Sequence, residues 1–234
     1  MQPDKGIVLG SLRFGDHDAI ARIYTRRQGV CTFMCKGIHG RRSQITPSML
    51  QPITLLDMVY RHRENQNMQY AKELRANPPL LQLQGNMSKT AIALFCAEVL
   101  QKTMVHAQCD EQLFDDLWGQ AISLNNCDIV SPYWPHLFLI RLARNLGLEP
   151  SGLPQGGLLH LSMGGFMETK NLVAEPSTSY DSLALHQLIQ GQEPDPLPKP
   201  MRIALLGKIL SYLSYHLDDF KELKSLPVLH HVFQ

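Results

Sequence analysis

Over the first 75 residues apolar and polar positions alternate in short runs: KGIVLGSLRF, AIARIYTRRQG, VCTFMCKGI, QPITLLDMVYRHR and NMQYAKEL. Each run is rich in Ile, Val, Thr, Tyr or Phe and is bounded by Gly, Asp or Asn, the pattern of half-buried strands. Five such strands suit a small barrel. RRQGV places Gly29 where a hairpin needs a positive φ, and RHRENQN is a polar connection between two strands. KGIHGRRSQITPSMLQP is the longest break between strands, too polar and too rich in Gly and Pro to be a core element.

After the NPP at residues 77–79 the period changes from two to 3.6. SKTAIALFCAEVLQKTMVH places Ile92, Phe95, Val99 and Leu100 at helical spacing, with Ser88 as the expected N-cap. EQLFDDLWGQAISL repeats the pattern with Leu113, Leu117, Trp118 and Ile122, and PHLFLIRLARNLGL repeats it from Pro135 to Gly147. Two later helices are predicted, SYDSLALHQLIQG and KPMRIALLGKILSYLSYHL, the second with Ile203, Leu206, Leu210, Leu213 and Leu217 on one face. Between the third and fourth helices LEPSGLPQGGLLHLSMGGFMETKNLV reads as an irregular Gly-rich insert at about residues 148–175, with a small hairpin. EPDPLPKP is a stiff lead into the last long helix. The expected class is α+β, with a β domain over residues 1–80 and a helical domain over 81–234.

A chain of 234 residues, 44% hydrophobic and 18% charged, can bury a core without disulfides or metal. Its apolar stretches are interrupted by charge well short of the roughly 20 residues a bilayer requires. The beginning, MQPDKGIVLG, lacks the basic-then-apolar pattern of a secretory leader, so a cytoplasmic location is expected. The five cysteines form no CxxC pair. Cys31 and Cys35 fall on one face of a strand and are expected to be buried thiols. Residues 1–75 hold 12 Lys and Arg against 6 Asp and Glu, net +6, which leaves 10 against 15, net −5, for the rest. Such asymmetry favours anion binding by the N-terminal part.

Signatures of common enzyme classes are missing: GxxxxGK[ST], GxSxG, HExxH and a strand-following GxGxxG are all absent. His230 and His231 are expected at the surface, and His106, His136, His186 and His216 at helix boundaries or partly buried. Asp115 and Asp116 project about 100° apart on a helix, cannot share a proton, and are expected to be solvated. The basic residues are more informative. Arg26 and Arg27 lie beside the hairpin turn, Lys36, Arg41 and Arg42 in the long loop, and Arg61 and Arg63 at a strand end. On a closed barrel they would line a groove or rim, and small five-stranded barrels bind oligonucleotides with such loops plus stacking aromatics. Phe14, Tyr24, Phe33, Tyr60 and Tyr70 are the aromatics available, most of them expected in the core. These residues fit a nucleic-acid groove or an ordinary basic surface.

The order GIVLGSLRFGDHDAIARIYTRRQG, FMCKGIHGRRSQITPSMLQPITLLDMVY and the closing YLSYHLDDFKELKSLPVL resembles the RecO family of bacterial recombination mediators. The resemblance rests on the succession of GIVL, Asp18 and Ile20, Lys36 with Gly37, the basic loop, Leu50-Gln51-Pro52, and HL followed by KSL. It implies an N-terminal five-stranded OB-fold and a helical C-terminal domain. It implies binding of single- and double-stranded DNA and annealing of complementary strands. Further partners implied are RecR, the acidic C-terminal tail of the single-stranded-DNA-binding protein and, indirectly, RecA, in the cytoplasm at the nucleoid. Bond-making catalysis and a cofactor are not implied. Many relatives hold zinc with four cysteines in the insert; GLPQGGLLHLSMGGF has none, so a zinc-free member is expected. Asp218 and Asp219 stand after HL where glycine is more usual.

Under this resemblance Arg26, Arg27, Lys36, Arg41, Arg42, Arg61 and Arg63 would contact phosphates. Arg141, Arg144 and Lys208 are candidates for the partner's acidic tail. Two other readings are open: a helical interaction adaptor whose barrel is inert, and a nuclease-like enzyme with Asp16 and Asp18 on magnesium.

Overall fold

A computed structural model describes residues 2–38, 44–64, 66–104, 108–151, 157–160, 164–168, 179–218, 220 and 222–233. Five strands, β1 (Gln2–Phe14), β2 (Asp18–Thr25), β3 (Gly29–Cys35), β4 (Leu55–Tyr60) and β5 (Met68–Ala76), close into a barrel in the order β1-β2-β3-β5-β4. All pairings are antiparallel except β3 with β5. This is the closed five-stranded, OB-fold-like arrangement followed by helices that the sequence predicts. Alternation decides what the barrel encloses: Ala19, Ala21, Ile23, Phe33, Cys35, Leu56, Met58, Tyr60 and Leu74 form one core. Cys35 is buried in that core as expected, whereas Cys31, on the same face, packs against it only partly buried.

Gly29 has φ 69°, the left-handed conformation that the β2–β3 turn demands. β4 starts at Leu55 rather than Gln51, because Ile53 sits at φ 61° and breaks the extended run. Its N–H donates to Val8 O at 2.7 Å, and Val8 N–H donates to Thr54 O, so this segment is fastened across β1.

Among the described residues the helices are α1 (Leu81–Gly85), α2 (Met87–Thr103), α3 (Glu111–Asn126), α4 (Trp134–Asn145), α5 (Ser179–Ile189), α6 (Lys199–His216) and α7 (Leu226–Val232). The sequence pattern predicts five of these seven; α1 and α7 are too short to show a period. A two-stranded hairpin, β6 (Gly157–His160) and β7 (Gly165–Glu168), lies in the Gly-rich insert. Contacts divide the chain into two compact units, Met1–Val130 with Leu223–Val232, and Ser131–Glu222 with Phe233–Gln234.

In the first unit α2 buries Ile92, Phe95, Val99 and Leu100, the predicted face. Its N-cap is Asn86, whose side chain accepts from Lys89 N–H, and not Ser88: the helix begins two residues earlier than the apolar period suggests. Gln101 of α2 donates to Leu9 O at the bulge between Val8 and Gly10, a carbonyl that pairing leaves over. Arg22 on β2 donates to Gln101 O and Met104 O, capping the C-terminal end of α2. Glu98 accepts from Lys224 N–H, Ser225 N–H and Ser225 Oγ, and so anchors the chain as it enters α7.

In the second unit α4 packs against α5 and α6. α4 ends where Gly147, φ 71°, donates to Arg144 O and Leu148 N–H reaches back to Ala143 O, a Schellman ending. Tyr133 Oη donates to Asp195 O and accepts from Leu197 N–H, and Tyr212 Oη donates to Leu148 O. His136, expected to be partly buried or at a helix boundary, is buried with Nε2 2.9 Å from Arg202 O. The buried face of α6 comprises Leu205, Leu206, Ile209, Leu210, Tyr212 and Leu213, so Ile203 is displaced from the core row that periodicity assigns it. No helix among the described residues is long and apolar enough to cross a membrane.

Candidate nucleic-acid interface

The strand registers bring the start of β1, the β2–β3 turn and the β4–β5 connection to one end of the barrel: Gln2 pairs with Tyr60, Gly6 with Thr25, and Thr25 with Gly29. Arg27 and Arg61 meet there around a pocket of about 280 Å³, together with His62, Asp4 and Glu64. Asp4 is held by two donors, its own neighbour's N–H from Lys5 at 2.8 Å and Tyr60 Oη at 3.0 Å.

Arg61 and Arg63 project from the β4–β5 connection and are exposed. What fixes that connection is Gln69, only 3% exposed. Its Oε1 accepts from Arg63 N–H at 2.9 Å, while its Nε2 donates to Arg63 O at 3.0 Å and Gln66 O at 2.8 Å. A buried amide with its donors and acceptor used is stable in place and makes the loop a built feature. Sequence reading missed Gln69; the only signal was a polar residue at an inward strand position.

Arg26 behaves differently. Its Nε and Nη2 donate to the two oxygens of Asp115 at 3.0 and 2.9 Å, and Nη2 also lies 2.9 Å from Glu111. Asp115 is exposed, as expected, and in addition pairs with Arg26 because α3 lies beside the β2–β3 turn; Asp116 accepts from Gln120. The hydrogen bond from Arg26 holds the Asp115 carboxyl below its ordinary range. Next to this pair Tyr24, Phe114 and Trp118 pack in series, with centroids 5.6 and 5.5 Å apart, and Lys5 Nζ lies 4.8 Å from the Trp118 ring centre. Tyr24 Oη donates to Asp110 O, and burial pushes the phenol up to about 12. A cleft of about 1020 Å³ opens here. Lys5, Arg26, Arg27 and Arg75 on its walls are matched by Asp4, Asp57, Glu73 and Asp115, so it has no net pull on a phosphate backbone.

Lys36 lies beyond the other end of β3, exposed, with Nζ 5.3 Å from the Tyr70 ring centre. Gly37 N–H donates to Asp18 Oδ1 at 2.8 Å, which ties the chain to β2 where the basic loop begins. Arg41 and Arg42 lie outside the described residues. The five aromatics divide cleanly: Tyr24, Phe33 and Tyr60 are buried, with Phe33 edge-on to Tyr60 at 4.9 Å, whereas Phe14 and Tyr70 are each 51% exposed.

In the second unit Arg141 is exposed on α4, and Lys208 is half-buried on α6. Arg144 is engaged by Glu149 through Nε and Nη2 and donates to Ile189 O at 2.6 Å. Among the described residues no three His, Cys, Asp or Glu are grouped so as to hold a metal ion. Burial pushes the Cys35 thiol up to about 12, and those of Cys31 and Cys96 upward, which keeps them protonated and poor ligands.

Comparison with known proteins adds the following. A family model described as "Recombination protein O N terminal" matches residues 1–77. A protein of Christiangramia forsetii called DNA repair protein RecO is 30% identical over 244 residues, covering 98% of both chains. Proteins of the same name from Bacteroides fragilis and Azobacteroides pseudotrichonymphae are 28% identical over 252 residues and 25% over 235. The former alignment covers 100% of this chain and 99% of the relative, the latter 98% of each.

Proposed function

The chain belongs to the RecO family, and from that premise we propose that it is a non-enzymatic recombination mediator in DNA repair. It binds single- and double-stranded DNA, anneals complementary strands and, with RecR, helps load RecA onto DNA covered by the single-stranded-DNA-binding protein. DNA binding is assigned to residues 1–80 and the protein contacts to residues 81–234, with Arg141, Arg144 and Lys208 as the candidates for contact with the acidic tail.

The observation that carries the reading is the β4–β5 connection, which presents Arg61 and Arg63 to solvent from a backbone clamped by a buried glutamine. Arg27 faces the same rim across a pocket in which Asp4 and Glu64 balance Arg27 and Arg61, so the surplus positive charge of the rim is that of Arg63. Such groups read phosphates without reading sequence, as an annealing protein requires. Neutralising the phosphates of two strands removes the repulsion that keeps them apart. Lys36, Arg41 and Arg42 extend the phosphate-contacting set along the loop after β3. The full alignment with relatives called DNA repair protein RecO supports the same reading.

The test is annealing of two labelled complementary oligonucleotides in EDTA, followed by energy transfer and then by gel for strand length. The protein accelerates pairing and leaves the strands intact. Pairing at the spontaneous rate, or shortened strands on adding magnesium, would defeat the proposal.

A further inference from the structure

Tyr70 is a large aromatic residue on a paired strand, yet half of it faces water. The register explains which way it points. Phe33 pairs with Gln69 and Met34 with Tyr70; Phe33 and Gln69 are buried inside the barrel, so Tyr70 belongs to the outer wall. Its backbone is fixed on both sides, by β3 and by the Gln69 clamp one residue earlier, so the ring is offered in a set position. The ammonium of Lys36 lies over the ring, 5.3 Å from its centre. An exposed cation–π contact is weaker than the stacking of a nucleobase on an aromatic ring. A base can therefore take the ring face while Lys36 turns to the adjoining phosphate.

We propose that Tyr70 stacks on an unpaired base of single-stranded DNA, with Lys36 as the phosphate contact beside it, and that this ring lets the barrel distinguish single strands from duplex. The inference rests on the DNA-binding reading above and deepens it. Charge supports a nucleic acid as the occupant. Tyr70 is two residues, about 7 Å of strand, from the start of β5, behind which stand Arg61 and Arg63. Lys72 is exposed two residues further on. Glu64 and Glu73 are the acidic side chains in this stretch, and Glu73 lies 3.8 Å from Lys72. Against Lys36, Arg61, Arg63 and Lys72 stand Glu64, Glu73 and, beside Lys36, Asp18, so the surroundings of the ring are net positive. In duplex DNA the base faces are covered by their neighbours, so only a single strand has a face to offer.

The experiment is anisotropy titration of one labelled oligonucleotide, single-stranded and as a duplex, with wild type, Tyr70→Ala, Tyr70→Phe and Tyr70→Trp across a salt series. Tyr70→Ala weakens single-strand binding about 5- to 150-fold. It changes duplex binding less than about twofold and leaves the salt slope unaltered. Tyr70→Phe retains wild-type affinity. Tyr70→Trp retains it too, and its emission is quenched by single strands beyond the change seen with Trp118 and Trp134 in wild type. Equal losses on single strand and duplex, or wild-type binding by Tyr70→Ala, would overturn the stacking role. So would loss of an acidic-tail peptide by Tyr70→Ala with single-strand binding kept, which would make the ring a protein contact. Failure of the wild type to bind any DNA at low salt would instead remove the reading on which the inference rests.

Discussion

Gln69 holds the backbone of Arg63 from both directions, accepting its N–H at 2.9 Å and donating to its carbonyl at 3.0 Å. Gln69→Leu keeps the bulk but deprives Arg63 and Gln66 of partners at a buried site, a cost of about 1–3 kcal/mol. The variant should melt several degrees lower. Its affinity for single-stranded DNA should fall roughly threefold to tenfold, as expected when about 1 kcal/mol of loop positioning is lost. Unchanged affinity in a folded Gln69→Leu protein would mean that the loop does not take part in binding.

Arg26 and Arg61 separate charge already spent inside the protein from charge available to a ligand. Arg26 is matched by Asp115 and Glu111, while Arg61 is exposed on the rim. Replacing Arg61 by Glu should weaken DNA binding more than the same change at Arg26, measured by titration at low salt. The reverse ranking would place the DNA on the α3 side of the barrel.

Lys89 is 1% exposed, and its ammonium donates to Gln82 Oε1, Asn125 O and Cys127 O at 2.7–3.0 Å. The two carbonyls lie at the end of α3, where a positive charge is favoured. Lys89→Met fills the space but leaves the acceptors unpaired. It should destabilise the first unit by on the order of 3 kcal/mol, read as a lower denaturant midpoint with an unchanged slope.

Glu98 supplies a pH dependence. Burial by itself raises the Glu98 carboxyl, but the hydrogen bonds from Ser225 Oγ and from the N–H groups of Lys224 and Ser225, with Lys102 nearby, outweigh it and hold the group below its ordinary value. A depressed folded pKa contributes stability that is complete above the unfolded value and is lost as pH falls through the folded one. Hydrogen exchange of α7 should therefore accelerate on acidification below the ordinary carboxylate range. In Glu98→Gln that acid-dependent step should be absent.

Much of the fold was legible because its signals are local. Alternation marks five strands, the 3.6 period marks the long helices, and Gly29 and Gly147 mark turns that need a positive φ. The exposure of Tyr70 was not legible, although five aromatics in strands could be named. Telling Tyr70 from Tyr24 or Phe33 requires knowing which strand pairs with which and what covers each face, and those facts come from contacts distant in sequence. Asp115 makes the same point: its exposure was legible from the helix, but its pairing with Arg26 follows only from the docking of α3 beside the β2–β3 turn. Gln69 was hidden for a related reason, since a buried amide makes sense only once the loop it holds has folded over it.

The central claim is that the barrel binds DNA through phosphate contacts on its basic rim, and the most direct measurement is the slope of log affinity against log salt for a single-stranded oligonucleotide. Wild type and Arg61→Glu/Arg63→Glu would be compared in the same series. The account predicts salt-sensitive binding by the wild type. In the double variant it predicts weaker binding at every salt concentration and a slope shallower by roughly one for each contact removed. Identical affinities and slopes for the two proteins would contradict it.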